Sequence, residues 1–257
     1  MIFPGENERR IVIAILSFCV GIFLGLIAKI TDIQFKDYLP SVVTLVAAFA
    51  GAWAAYLLQR RKELEKRVEE KVDAGNTAIF ALMRCHNRFI SIQRQAIDPF
   101  REHPARFVAI RPIIGEMVCG LELDYESLSF LFKSKNPNML NELSSTQAEV
   151  ESTVNLINQR SEVHFNYVQP VADKAGFQNG QDVTLNQINA ALGHRLTETM
   201  KDLTDQLIEF VDFIVSDTEK LIEELHELLK SEFKGHAIVK MEKPNKSKQQ
   251  GPAAGTR

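Results

Sequence analysis

Apolar residues follow three successive rhythms along the chain. From Ile11 to Leu58 they are almost continuous, and the only charges are Lys29, Asp32, Lys36 and Asp37. Two runs stand out, "IVIAILSFCVGIFLGLIAKI" from Ile11 to Ile30 and "LPSVVTLVAAFAGAWAAYLL" from Leu39 to Leu58. From Leu64 the apolar residues recur as Leu64, Val68, Val72, Ile79, Leu82, Met83, Phe89 and Ile90. These steps of three, four or seven are helical. Leu196, Met200, Leu203, Leu207, Phe210 and Ile214 alternate steps of four and three, which is coiled-coil spacing. After Lys234 the periodicity stops.

Each apolar run, as a helix, rises about 30 Å, the thickness of a bilayer's hydrocarbon core. Lys29 can snorkel to the headgroups, Pro40 suits a first helical turn, and Trp53 and Tyr56 fall where amphipathic rings prefer to sit. The alternatives are a cleaved signal peptide for the first run and a buried core helix for the second. The first run is long for a signal peptide and lacks an A-x-A site. The second lies beside another uncharged run. The pattern therefore predicts a two-span hairpin. Basic residues flank it on one side: Arg9 and Arg10 before, and Arg60, Arg61 and Lys62 after, joined by Lys66 and Arg67. This places both termini in the cytoplasm. Ser17, Gly21 and Gly25 in the first span, and Ala47, Gly51 and Ala55 in the second, recur every four residues. Such faces let helix backbones approach closely, within one hairpin or between subunits of a homo-oligomer.

Beyond the spans the sequence predicts an all-α protein: the hairpin over 1–58, a helical cytoplasmic bundle or coiled coil over 59–235, and a basic disordered tail over 236–257. The second span is expected to continue as a long helix, kinked at Gly75 and Asn76 and stopped at "DPFREHP". Asp124 is expected to cap a short helix. Asn136 and Pro137 should open another that runs to Val168, with Pro170 closing it. Its stripe is Leu143, Val150, Val154 and Ile157, and His164 follows one heptad later as a hydrogen-bonded core histidine. Thr184 and Gln187 form a capping box for a last helix reaching Phe233. Asp217 is expected to break the seam of that helix. The seam serves an antiparallel bundle or an intermolecular coiled coil.

Composition adds little to this, because the net charge is only −3. Cys19, Cys85 and Cys119 are too scattered for a disulfide framework or a cysteine zinc site. The tail's lysines, Lys234, Lys240, Lys243, Lys246 and Lys248, can attract anionic lipid or nucleic acid. No phosphate loop, dinucleotide glycine pattern or nucleophile elbow occurs. Cys85 and His86 are helix neighbours whose side chains diverge. "HELL" at His226 lacks the second zincin histidine. No catalytic residue, metal, cofactor or small-molecule substrate is expected, although 97–123 is irregular enough to house a site.

The segments "AIFALMRCHNRFISIQRQAIDPFREHPARF", "LDYESLSFLF" and "NPNMLNELSSTQAEVESTVNLINQRSEVHFNYVQP" resemble bacterial two-transmembrane proteins with helical cytoplasmic domains, and through them the two-transmembrane effectors of antiphage retrons. The resemblance covers residues 10 to 235. It implies a toxin-like effector in the bacterial inner membrane, silenced by a reverse transcriptase with its RNA–DNA hybrid, that disrupts the bilayer once released. Read without it, the residues also fit a membrane-anchored scaffold or sensor whose spans are only a tether.

Overall fold

The computed structural model describes residues 39–113, 121–177 and 183–241. The first expected span, with Arg9, Arg10, Ser17, Gly21 and Gly25, lies outside them, as does the tail from Glu242. The chain divides into two units, Met1–Leu64 and Glu65–Arg257. Described residues are mostly helical and include no strand. They contain α1 (Leu39–Ile92), α2 (Arg106–Ala109), α3 (Met139–Val163), α4 (Gln169–Lys174) and α5 (Leu185–Glu232), with shorter π and 3-10 turns between.

In the second unit, α1, α3 and α5 bury one stripe each. Ile79, Leu82 and Phe89 of α1 meet Leu143, Val150 and Ile157 of α3 and Leu207, Val211, Ile214 and Leu225 of α5 in one core. Leu121, Leu128 and Leu131 from the connection before α3 join it. Ala105, Phe107, Val168 and Met200 form a smaller cluster.

α1 runs without a break through Gly75, from Leu39 to Ile92. The glycine answers a different need. A Cβ on Gly75 would lie 2.5 Å from Leu229 Cδ1, and Leu229 is fully buried. The missing side chain lets α5 press a leucine against the α1 backbone, which outweighs the helix-propensity cost of glycine.

Pro170 does not close its helix. It lies in the first turn of α4, reached through a π turn over His164–Val168. Gln169 N–H reaches back five residues to the His164 carbonyl. The ladder changes step just where the next residue has no N–H to give, so the proline removes little. The end of α1 repeats the arrangement: a π turn over Gln93–Ile97 precedes a 3-10 turn containing Pro99, and Asp98 N–H reaches the Gln93 carbonyl. The helix after "NPN" begins at Met139 rather than Pro137, with Asn138 at its N-cap. Asn136 instead folds a tight turn, its Oδ1 accepting Asn138 N–H at 3.2 Å. Asp124 does cap, accepting Glu126 N–H and Ser127 N–H at 3.1 and 3.2 Å before a 3-10 helix.

The capping box of α5 forms, with the Thr184 and Gln187 side chains and backbones bonded reciprocally. Gly193, at φ 74° and ψ 161°, interrupts the helix and divides it into two pieces. Past it the buried positions differ from the heptad reading. Val211 is buried and Phe210 is 39% exposed. The seam runs Met200, Leu203, Leu207, Val211, Ile214, Thr218, Leu221, Leu225 and Leu229, without a break at Asp217. Met200 and Val211, Leu207 and Thr218, and Ile214 and Leu225 are each eleven residues apart. An eleven-residue repeat holds 3.67 residues per turn, so the stripe stays aligned on a helix that does not supercoil to the left.

Gly235, at φ 92°, turns the chain after α5, and Ile238, Val239 and Met241 pack back on the core. Residues past the expected boundary at 235 therefore still contribute to this core.

Candidate functional site

The first candidate is the apolar part of α1. This helix is long and apolar enough to cross a membrane, and none of its most apolar stretch is buried. Val43, Leu45, Val46 and Leu58 are each more than half exposed. Ala47, Gly51 and Ala55 are exposed, and among the described residues nothing lies within 4 Å of a Cβ built on Gly51. Thr44 returns its hydroxyl to the Pro40 carbonyl at 2.8 Å, so it presents no free donor to a lipid-facing surface. Trp53 and Tyr56 touch, ring centroids 5.8 Å apart, one to two turns before the basic residues. Arg61 and Lys62 are exposed and Arg60 is half-buried. These residues make a helix with an apolar wall, a small-residue track and a charged collar.

The second candidate is the polar interior of the bundle. Arg160 on α3 is 1% exposed. Its Nε donates to Thr204 Oγ1 at 2.9 Å, and Nη2 donates to the carbonyls of Ile110 at 2.7 Å and Phe107 at 3.3 Å. Nη1 has no partner, and among the described residues no carboxylate forms an ion pair with Arg160. Burial alone pushes its guanidinium down to about 10. One helical turn on, His164 Nε2 meets the Val108 carbonyl at 3.2 Å. A carbonyl only accepts, so Nε2 carries the proton. Burial lowers the pKa of His164. It is the hydrogen-bonded core histidine that the spacing from Ile157 suggested. Arg160 and His164 together tie the 107–110 segment to α3, while Ser161 Oγ accepts Ile113 N–H at 3.1 Å.

The described part of 97–123 is bound in the same way on its other side. Arg101 makes a forked pair with Asp212 of α5, at 2.7 and 2.9 Å, and Gln93 donates to the same carboxylate at 2.7 Å. The hydrogen bond from Arg101 holds Asp212 below its ordinary pKa. Arg106 pairs with Asp205 at 3.0 Å. All of these groups position backbone.

Cys85 and His86 are both buried, but His86 serves another partner. Thr218 Oγ1 donates to the Ile214 carbonyl at 2.6 Å, so the His86 contact at 3.0 Å is a donation from Nδ1 to that hydroxyl oxygen. Desolvation lowers the His86 pKa. His226 of "HELL" is buried too and donates from Nδ1 to the Val239 carbonyl at 2.8 Å. Among the described residues no group of three histidine, cysteine or acidic side chains is placed to hold a metal ion. Glu69, Glu70, Glu223 and Glu224 are exposed.

Sequence reasoning passed over Arg160, Asp212 and Asp205, and read Asn76 only as a kink. A basic residue one turn before His164 was the available signal for Arg160; nothing local marked the other two. No family model, curated protein or solved structure matches the chain.

Proposed function

We propose that the protein is a membrane effector of the bacterial inner membrane, whose α1 acts by associating with other spans in the bilayer while the helical domain governs when it does so. The observation that carries this reading is the exposed apolar part of α1, with a small-residue track whose Gly51 meets nothing within 4 Å among the described residues. Burying such a wall in lipid removes its cost in water. Close backbone contact along Ala47, Gly51 and Ala55 supplies the packing that drives helix association there. A second span over Ile11–Ile30, carrying Ser17, Gly21 and Gly25, offers a matching track. The basic collar puts the helical domain in the cytoplasm. The resemblance to retron effectors supplies the proposed control: a reverse transcriptase with its RNA–DNA hybrid holds the effector silent until infection disturbs it.

The test is membrane potential and growth after induced expression of the full chain alone, beside a Gly21→Leu, Gly25→Leu, Gly51→Leu variant at matched membrane levels. Rapid depolarisation by the wild type, lost in the variant, is expected. Normal potential and growth with both would overturn the effector reading.

That result would favour a tethered scaffold. Its specific support is the exposure of Phe80, Phe132, Phe165 and Tyr167, each more than half exposed on the helical domain. Aromatic side chains on a charged surface suit contact with a protein partner.

A further inference from the structure

Asn76 lies on α1 next to Gly75, against which Leu229 of α5 packs. Its carboxamide faces the segment returning from α5. Oδ1 accepts Val239 N–H at 2.9 Å, and Nδ2 donates to the Ala237 carbonyl at 3.1 Å. Those two backbone groups flank Ile238 and are the pair that an adjoining β-strand would engage. From the other side His226 of α5 takes the Val239 carbonyl at 2.8 Å. Both polar groups of residue 239 are therefore held, one by each helix. No side-chain polar atom of the returning segment takes part. What the segment contributes through side chains is apolar: Ile238, Val239 and Met241 against the core.

This is peptide recognition through the backbone, with apolar positions setting fit. The turn that leads into the segment is short and exposed. Lys234, Gly235 and His236 are all exposed. A Cβ on Gly235 meets nothing within 4 Å, so the turn is held by its own conformation, with a single His236 N–H to Phe233 carbonyl bond of 3.2 Å. Straightening that turn would carry residues 237–241 away from their own bundle at little local cost, with every groove contact available again in a neighbouring bundle.

We propose that the groove between Asn76 and His226 is a strand-reading site that is exchanged between copies of this chain, residues 237–241 of one copy filling the groove of another. The chain's own segment is the one sequence shown to fit. It is attached to a hinge, and identical contacts in the closed and exchanged forms leave concentration to decide between them. The inference rests on the bundle and stands whether or not α1 damages membranes.

Two measurements on the full-length protein in detergent test it. In a chain lacking its three natural cysteines, Thr77→Cys is placed on one tagged copy and Lys240→Cys on a differently tagged copy. Both positions are exposed. The two are mixed and treated with a short bismaleimide. A product joining the two tags, lost when Asn76→Ala is added to the first copy, is expected. In parallel, a labelled peptide of sequence HAIVKMEK is titrated into the Val239→Pro chain, which cannot donate to Asn76 and so leaves its own groove open. Saturable binding, at least tenfold weaker with Asn76→Ala, is expected. Peptide binding without any product between tags would assign the groove to another protein's peptide and overturn exchange. Absence of both would overturn the groove as a recognition site. The cross-linking arm retains Val239, so a folding defect in the proline variant does not affect it.

Discussion

Replacing Arg160 by methionine pits the two sides of a buried cation against each other. Methionine matches the length of the stem and brings no charge. The charged form already suffers from burial: the fall to about 10 corresponds to roughly 3 kcal/mol at about 1.4 kcal/mol per tenfold change in proton affinity. Methionine recovers that. It also strands Thr204 Oγ1 and the carbonyls of Phe107 and Ile110, which now receive three bonds from the guanidinium. Bonds from a charged donor are worth about 1.5–3 kcal/mol each, and a buried carbonyl left alone costs its desolvation. The stranded acceptors win, and we expect a net loss of about 2–4 kcal/mol. The assay is thermal melting of the full chain in detergent, where a loss of that size lowers Tm by on the order of 5–15 °C. Pairing Arg160→Met with Thr204→Val should give a coupling of about 1–2 kcal/mol. A methionine variant as stable as the wild type, or more so, would refute the argument. It would mean that the 107–110 segment keeps its place without the guanidinium, as when a buried ionic group is replaced by a well-packed apolar one.

Gly75→Ala should lower Tm despite better helix propensity, because an overpacked core costs about 1–3 kcal/mol against a gain of about 1; adding Leu229→Val should restore part of the loss. Burial holds His86 and His164 below the ordinary histidine value, so the unfolded chain takes up protons first. Stability should then plateau above about pH 6.5 and fall below it, with a His86→Asn, His164→Asn chain showing a flatter profile by melting at successive pH values. Thr184→Ala removes the hydroxyl half of the capping box, the acceptor for Gln187 N–H, at a cost of about 1 kcal/mol, and leaves the backbone N–H of residue 184 to the Gln187 side chain. Hydrogen exchange should quicken over 185–192 and stay unchanged beyond Gly193, where the helix is already interrupted.

Elements whose causes are contiguous in sequence were legible. The capping box needs only Thr184 and Gln187, and His164 announces its burial by its spacing from Ile157. Gly75 and Asn76 looked like a helix defect because glycine and asparagine are weak helix formers. Their true partners, Leu229 and Val239, are far along the chain, and no local rule reaches that distance. Pro170 misled for a related reason: a terminator rule assumes one hydrogen-bond ladder, and Pro170 follows a change of ladder; "DPFREHP" does stop α1, through a π turn and a 3-10 turn. The seam of α5 was found but rotated, since six residues do not separate a seven-residue repeat from an eleven-residue one. For the candidate site, exposed apolar character was plain in "VAAFAGAWAAYLL". The anchoring of 97–113 by Arg160, Asp212 and Asp205 was invisible, because each of these charges meets a partner far along the chain.

The two π turns bear on how this chain came to its present length. A π turn is an α-helix into which one residue has been slipped, the surplus being taken up by a wider loop of backbone. Downstream of His164–Val168 the faces of α4 are therefore set about 100° away from where α3 alone would have put them, and Phe165 and Tyr167 emerge at the surface. Without the extra residue Pro170 would meet an unbroken α ladder, where a missing N–H and the ring clash cost more. The same holds for Gln93–Ile97 and Pro99. Related chains that lack either proline should also be found to lack one residue in the turn before it.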